Sequence, residues 1–206
     1  MRICGVDEAG RGPLAGPVVA AAVIFPTGYK NSAINDSKQL SALKREQLVN
    51  VIKESSLAWA IIGVGPRRIE QLNILGATKL AMKLAVERVN ADLALIDGNQ
   101  RINISIPQRT VVGGDAIHVE ISAASILAKV WRDHLMKVLG AKYPGYGFEK
   151  HAGYPTEFHR SAVKLLGPSR VHRKTFAGVR EFLSLPYKYE ETENREMGGE
   201  ESGALP

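Results

Sequence analysis

Short apolar runs alternate along the chain with longer stretches in which apolar residues recur every three or four positions. Five of the short runs are bounded by glycine, proline or aspartate and are rich in aliphatic residues, which predicts β-strands. The predicted strands cover residues 3–6, 17–25, 57–64, 93–96 and 109–112. The second run contains three central alanines, so a helix is also possible there, although the run is short for one.

Three longer stretches have the helical repeat. One follows Ser41, which can cap it; one opens at Pro66 and continues through an apolar stripe at residues 77–85; and one runs from Glu120 to about Leu139. Because helices that connect strands imply some parallel pairing, the predicted class is α/β with a mixed sheet. The apolar stripe of the last helix is predicted to consist of Ile121, Ala124, Ala128, Leu135 and Val138.

The C-terminal third of the chain differs in composition. Residues 142–182 contain many Gly, Pro, His and Tyr residues and predict loops with short helices. From Ser184 the sequence becomes acidic and contains glycine, which is typical of a disordered tail. We therefore predict one catalytic domain over residues 1–183, including a C-terminal substrate-binding segment, followed by an acidic tail at 184–206.

The distribution of charge along the chain suggests a class of binding partner. The net charge is +6, but residues 186–206 contain two basic and six acidic residues and carry −4, which leaves +10 on the remainder. A net charge of +10 on residues 1–185 favours a polyanionic partner such as nucleic acid, although a basic enzyme that is merely soluble fits equally well.

The single cysteine, the lack of a signal peptide and the shortness of every apolar run predict a cytoplasmic protein without a membrane span.

Carboxylates follow three of the predicted strands: Asp7 with Glu8, then Asp97, then Asp115. Sheet enzymes tend to place their sites at the carboxyl ends of strands. Clustered carboxylates stay ionised together only when cations compensate them, and oxygen ligands suit Mg²⁺ or Mn²⁺. Two such ions can stabilise both reacting oxygens of a phosphodiester. The alternative interpretation is that each acid is an ordinary turn residue. This interpretation is less well supported because all of the acids fall at the same end of a strand.

Two features complicate this interpretation. Neighbouring strand residues point to opposite faces, so Asp7 and Glu8 can share a site only if the strand ends or bulges between them; Gly10 and Gly12 make such an end plausible. Residues 10–15 also fit the G-x-G-x-x-A dinucleotide fingerprint. That fingerprint requires a helix directly afterwards, whereas a predicted strand follows here, so an oxidoreductase is disfavoured.

The motifs resemble those of a known family. Residues 5–18, GVDEAGRGPLAGPV, resemble the N-terminal signature of the type 2 ribonucleases H, and among them of bacterial ribonuclease HII. Further segments resemble later motifs of that family in the same order, and the resemblance covers about residues 3–182. These segments are DSKQLS at 36–41, IDGN at 96–99, GD at 114–115 with ISAASILAKV at 121–130, YPGYGF at 143–148 and HRKTF at 172–176.

The resemblance implies an RNase H-like fold, with a central mixed five-stranded sheet flanked by helices and a helical and loop C-terminal segment. It implies that Asp7, Glu8, Asp97 and Asp115 are catalytic and bind two Mn²⁺ or Mg²⁺ ions. The expected enzyme cuts the RNA strand of RNA–DNA hybrids and cuts 5′ of ribonucleotides embedded in duplex DNA. It leaves a 3′-hydroxyl and a 5′-phosphate, and we expect a monomer.

The family also suggests substrate contacts. Gly10, Arg11 and Gly12, the glycine turn, are implied to read the ribose 2′-hydroxyl through their backbone, and Tyr154 is implied to pack on the neighbouring sugar. Both roles are physically reasonable, because the 2′-hydroxyl distinguishes RNA from DNA and glycine allows close backbone approach. Arg11 is also a candidate phosphate contact, as is Lys38.

The longest predicted helix carries a polar face. Ser122, Ser125, Lys129 and Asp133 lie on it, and either a face towards the site or a solvated face fits their spacing. We expect the former, with Lys129 near a phosphate. Asp133 is the rival for the fourth carboxylate, but it lies far from a strand end, so Asp115 ranks ahead.

Three positions depart from the family pattern. Many relatives have lysine before the fourth aspartate, where this chain has Gly114. Many also have lysine where this chain has Ala152 and glycine where it has Pro155.

Two alternative functions remain: a ribonuclease HIII-like hybrid nuclease and a non-catalytic nucleic-acid-binding domain. The HIII family has an N-terminal extension before its first motif, for which a motif starting at residue 5 is expected to leave no room.

Overall fold

A computed structural model describes residues 1–35, 40–185 and 187. Five strands form one sheet in the order β3-β2-β1-β4-β5. β1 pairs antiparallel with β2, and β2 with β3, whereas β1–β4 and β4–β5 are parallel. The predicted mixed five-stranded sheet is therefore confirmed. The strands are β1 Ile3–Ala9, β2 Val18–Ile24, β3 Ala58–Val64, β4 Leu93–Asp97 and β5 Gln108–Val111.

Helices cover both faces of the sheet. One face packs on α2, whereas the other packs on α3 and α1. α2 is interrupted at Asn73, whose side-chain Oδ1 accepts a hydrogen bond from the Gly76 amide and so caps the part of the helix that follows. The helices are α1 Ala42–Ser55, α2 Pro66–Val89, α3 Val119–Lys142, α4 Phe148–His151 and α5 Glu157–Leu166.

β2 lies in the interior of the sheet, between β3 and β1, and is buried along its whole length. A strand covered on both faces should read as a continuous apolar run, which explains its valine- and alanine-rich sequence. Next to it, Gly5 of β1 allows α3 to approach the sheet very closely. A Cβ atom built at Gly5 would lie 2.2 Å from the Glu120 carbonyl carbon, so any side chain there would displace the start of α3.

β1 continues past the first two acids, contrary to the expectation of a strand end or bulge between them. Its pairing with β2 runs in register through Asp7, Glu8 and Ala9, while its pairing with β4 ends earlier, at Val6. Alternation therefore persists, and Asp7 and Glu8 face opposite sides of the sheet. Asp7 lies level with the last residue of β4, and Glu8 lies where β1 projects beyond it.

The C-terminal segment consists of short helices and loops, as predicted, and forms a third apolar cluster against the end of α3. Ala15, from the loop after the glycine turn, belongs to this cluster and forms a bridge with His172. Lys38 and nearly all of the acidic tail lie outside the described residues, so those predictions stay predictions. In the part of the chain that the structure describes, no helix is long and apolar enough to cross a membrane.

Candidate active site

Asp7 occupies the α3 side of the sheet and is only 6% exposed. The Ser125 hydroxyl of α3 donates a hydrogen bond to its carboxylate, and the Glu8 backbone amide donates to Asp7 Oδ1 at 2.7 Å. Despite these donors, the pKa of Asp7 is raised well above its usual range. Burial is the main cause, followed by repulsion from Glu8, and Asp97 adds to it.

Glu8 occupies the opposite side, towards α2. It lines a cavity of about 90 Å³ together with Arg11, Asp97 and residues of α2, among them Lys79. Arg11 Nη1 lies 3.4 Å from Glu8 Oε1 and opposes the rise in its pKa. Burial and the neighbouring Asp97 nevertheless raise that pKa above its usual range.

Asp97 ends β4 and is electrostatically coupled to both acids of β1, since its charge contributes to the raised pKa of each. Its Oδ1 accepts a hydrogen bond from the Gly114 amide at 2.8 Å. Asp115 follows directly in a short 3-10 turn, is 5% exposed, and accepts a hydrogen bond from the Ser122 hydroxyl at its backbone carbonyl. The four predicted acids thus lie around the ends of β1 and β4.

Gly114, one of the departures from the family pattern, has a local explanation. A Cβ atom at this position would lie 2.5 Å from Cδ1 of Ile121 and 3.3 Å from Oδ1 of Asp97. The Ile121 side chain therefore fills the space that a larger residue would need. The absence of a side chain also lets the Gly114 amide reach Asp97.

The donor set fits a hard divalent cation. Burial and, to a smaller extent, repulsion between neighbouring carboxylates raise the pKa of Asp7 and Glu8, and a bound cation would offset both effects. All the donors are oxygens, which suits Mg²⁺ or Mn²⁺. Within residues 1–35, 40–185 and 187, however, no three Asp, Glu, His or Cys side chains converge closely enough to bind one ion.

Two buried arginines hold the loop that contains the glycine turn. Arg173 is fully buried, and its guanidinium donates to the carbonyls of Gly10 at 2.6 Å, Arg11 at 2.8 Å and Gly16 at 3.0 Å. Burial lowers its pKa to about 9, and the charge of nearby Arg132 contributes. The turn is therefore fixed from behind through its carbonyl groups.

Arg132 of α3 holds the adjacent part of the loop. It is 1% exposed and donates to the carbonyls of Pro17 at 3.0 Å, Ala15 at 3.1 Å and Ala152 at 3.0 Å. Gly10 has φ +90°, and a Cβ there would lie 2.0 Å from Arg132 Nε. Glycine is thus required at this position both by conformation and by space. Our sequence interpretation missed both arginines as structural elements.

Tyr154 lies beside the glycine turn, as the substrate-binding prediction requires. It is 41% exposed, and its Cε1 is 3.8 Å from a Cβ built at Gly12. Lys129 Nζ lies 5.8 Å from its ring centre and pairs with Asp133 Oδ1 at 2.9 Å. The polar face of α3 therefore points towards the site, and Asp133 is engaged by Lys129 rather than by the acids of the sheet.

Comparisons with known proteins identify the family of this chain. The family model described as Ribonuclease HII matches residues 4–179. The chain belongs to the ribonuclease HII family. It is 52% identical over 185 residues to ribonuclease HII of Dechloromonas aromatica, covering 89% of this chain and 94% of that one. It is equally similar to ribonuclease HII of Acinetobacter baylyi, with 52% identity, 89% of this chain and 98% of the relative covered.

A solved structure supports the fold. Ribonuclease H2 of Pyrococcus horikoshii OT3 matches with a TM-score of 0.74 and 25% identity over 89% of this chain and 97% of that chain. Bst-RNase HIII in complex with Mn²⁺ matches with a TM-score of 0.60 at 18% identity, over 89% of this chain and 69% of that one, and shows the fold alone. As a member of the ribonuclease HII family, this chain is an RNase H nuclease that acts on RNA–DNA hybrids.

Proposed function

We propose that this ribonuclease HII family member also cuts 5′ of ribonucleotides embedded in duplex DNA, using divalent cations and leaving a 3′-hydroxyl and a 5′-phosphate. One observation carries the proposal: coupled carboxylates at the ends of β1 and β4 lie next to a backbone turn that is fixed from behind by Arg173. The first element suits phosphodiester hydrolysis, and the second suits recognition of a ribose.

The acids have distinct positions in this proposal. Asp7 and Glu8 approach from opposite faces of the sheet, and Asp97 lies close to both, so a phosphate would be bound at the rim of the sheet. Asp7, Glu8, Asp97 and Asp115 would hold two Mg²⁺ or Mn²⁺ ions. When bound, such ions activate water and neutralise the charge that develops on the reacting oxygens. Ser125 and the Gly114 amide orient Asp7 and Asp97, respectively.

The orientation of the glycine turn follows from its hydrogen bonds. In a trans peptide, the carbonyl and the following N–H point in opposite directions. Because Arg173 binds the carbonyls of Gly10 and Arg11, the amides of Arg11 and Gly12 are directed away from its guanidinium. These amides can donate to a ribose 2′-hydroxyl, and a deoxyribose offers them no acceptor at that position.

Cleavage of a DNA duplex with one embedded ribonucleotide tests the proposal. In Mg²⁺ or Mn²⁺ the protein should cut it on the 5′ side of the ribonucleotide, and Asp97→Asn should be at least about 100-fold slower. Asp92→Asn is the matched control, because Asp92 lies just before the other end of β4 and its carboxylate accepts a hydrogen bond from the exposed Arg2 amide at 2.6 Å. No cleavage by the unmodified protein, or equal activity of Asp97→Asn, would refute the proposal.

The same assay separates the alternatives. A non-catalytic nucleic-acid-binding domain would bind the duplex in a salt-sensitive manner without turnover. A hybrid nuclease of the HIII type would cut continuous RNA–DNA hybrid but leave the single embedded ribonucleotide intact.

A further inference from the structure

A chain of hydrogen bonds links Tyr154 to the C-terminal segment through two buried histidines. His159 Nδ1 lies 2.9 Å from the Tyr154 carbonyl, and His159 Nε2 lies 3.0 Å from Nε2 of His172. His172 Nδ1 lies 3.0 Å from the Ser169 amide nitrogen. Both imidazoles have no exposed surface. Neither histidine has a place in the proposed hydrolysis.

The Ser169 amide sets the direction of the hydrogen bonds in this chain. A backbone amide can only donate, so Ser169 N–H donates to His172 Nδ1, which is therefore unprotonated. The Ser169 hydroxyl, whose Oγ lies 2.8 Å from the same nitrogen, then also acts as a donor. The proton of neutral His172 is then on Nε2 and is donated to His159 Nε2. His159 in turn has its proton on Nδ1 and donates it to the Tyr154 carbonyl. Burial keeps both rings neutral, since it lowers the pKa of His159 to about 4 and that of His172 to about 3.

The same short segment also holds the glycine turn. His172 is followed directly by Arg173, whose guanidinium binds the carbonyls of Gly10 and Arg11. Residues 169–173, which we call the brace, therefore contact both sides of the proposed ribose site. On one side the brace reaches the turn through Arg173, and on the other it reaches Tyr154 through His172 and His159.

We propose that the brace sets the position of Tyr154 relative to the glycine turn, with His159 as a positioning residue for recognition of an embedded ribonucleotide. The backbone around Tyr154 is held on both sides: the Gly153 carbonyl accepts from the Leu14 amide at 2.8 Å, and the Tyr154 amide donates to the His151 carbonyl at 2.9 Å. The Tyr154 carbonyl accepts from the Thr156 amide at 2.8 Å and from His159. Loss of the His159 donor removes the link from this carbonyl to the brace and leaves it the local bond from Thr156. The role of Tyr154 in binding ribose rests on the proposed function.

Two substitutions at one residue separate positioning from general stability. In His159→Asn the side-chain amide takes the place of Nδ1 and can still donate to the Tyr154 carbonyl. In His159→Gln the amide takes the place of Nε2, facing His172, and the Tyr154 contact is lost. Both variants remove the imidazole from the same buried site, so a merely structural role predicts similar effects.

The activity readout is the ratio of kcat/KM for a single-ribonucleotide duplex to kcat/KM for a continuous hybrid. His159→Gln should lower this ratio about tenfold, which is the effect of one hydrogen bond, whereas His159→Asn should stay within about threefold of the unmodified protein. In a Tyr154→Ala background the two variants should have the same ratio. Equal losses in both variants, or a His159→Gln effect that persists without Tyr154, would overturn the proposal.

A second readout needs no activity. Imidazole ¹⁵N NMR of the full chain should show the proton of His159 on Nδ1 and that of His172 on Nε2. The nuclear Overhauser contact between the Tyr154 ring and Gly12 should persist in His159→Asn and disappear in His159→Gln. A proton on Nε2 of His159 would refute the brace even if both substrates are cut. If neither substrate is cut but the NMR results hold, the proposed function fails and the brace stands.

Discussion

Two regions of this molecule hold buried ionisable groups in opposite ways. At the ends of β1 and β4, acids of like charge are placed next to one another, and burial together with repulsion raises the pKa of Asp7 and Glu8. In the brace and α3, Arg132 and Arg173 also place like charges near each other, but each guanidinium donates to three backbone carbonyls, and His159 and His172 are neutral. The buried cations are thus hydrogen-bonded within the fold, whereas the acids of the cluster keep raised pKa values.

The difference indicates what each region contributes. Unrelieved repulsion destabilises a fold, and it is retained where a ligand or a reaction requires it. Fully paired buried polar groups make a structure rigid and specific. We therefore expect substitutions in the acid cluster to lower activity while sparing stability, and substitutions in the brace to lower stability as well.

Asp7→Asn should show the largest difference between its effect on activity and its effect on stability. Activity should fall on the order of a thousandfold, because a carboxylate at the reacting phosphate is lost. The metal-free protein should be as stable as the unmodified protein or more so, because a buried repulsive charge is removed. Thermal unfolding with and without Mn²⁺ measures this: the ion should raise the Tm of the unmodified protein and should raise that of the variant less. A large loss of stability in metal-free Asp7→Asn would contradict the contrast.

Arg173→Met should affect mainly the stability of the fold. Three carbonyls, those of Gly10, Arg11 and Gly16, lose their donor in a buried site, so we expect the free energy of unfolding to fall by about 3–5 kcal/mol. Denaturant unfolding measures the change. Arg180→Met is the control, because the Arg180 side chain is 63% exposed and forms a surface ion pair with Glu181. Equal stability of the two variants would mean that the turn does not depend on the guanidinium.

The pH dependence of stability should have opposite signs in the two regions. His159 and His172 have folded pKa values of about 4 and 3, below the usual 6.5, so their contribution is present above pH 6.5 and is lost as pH falls. Between pH 7 and pH 5 this loss is about 2 kcal/mol per histidine. The raised pKa values of Asp7 and Glu8 have the opposite effect, so Asp7→Asn should steepen the net loss of stability on acidification. A shallower dependence in that variant would contradict the assignment.

The sequence predicted the sheet well and singled out acids that the structure places near one another, because both inferences depend on local patterns. Strand periodicity identified all five strands, and the acids were recognised by their positions after them. The strand end expected between Asp7 and Glu8 was wrong. The two acids reach a common region because β4 ends early, and pairing lengths between strands distant in sequence are not visible in either strand alone.

The brace could not be predicted in the same way. Arg173 and the Gly10 carbonyl are 163 residues apart, and the guanidinium binds backbone groups that exist at every position. One signal was available in α3: Arg132 lies four residues from both Ala128 and Met136, on the buried stripe of the helix. The predicted stripe includes Val138 instead of Arg132, and Val138 is 64% exposed.

The projection of β1 beyond β4 also determines which molecules can compete for this site. The space beside Glu8 is about 90 Å³, well below the 300 Å³ or more of a typical small-molecule pocket. A free nucleotide would find little surface to enclose it, whereas a duplex can reach Arg11 and Lys129 along its length and gain affinity from many phosphates. We therefore expect the proposed site on the rim of the sheet to bind product-like mononucleotides weakly, and a useful inhibitor would have to be as extended as the substrate.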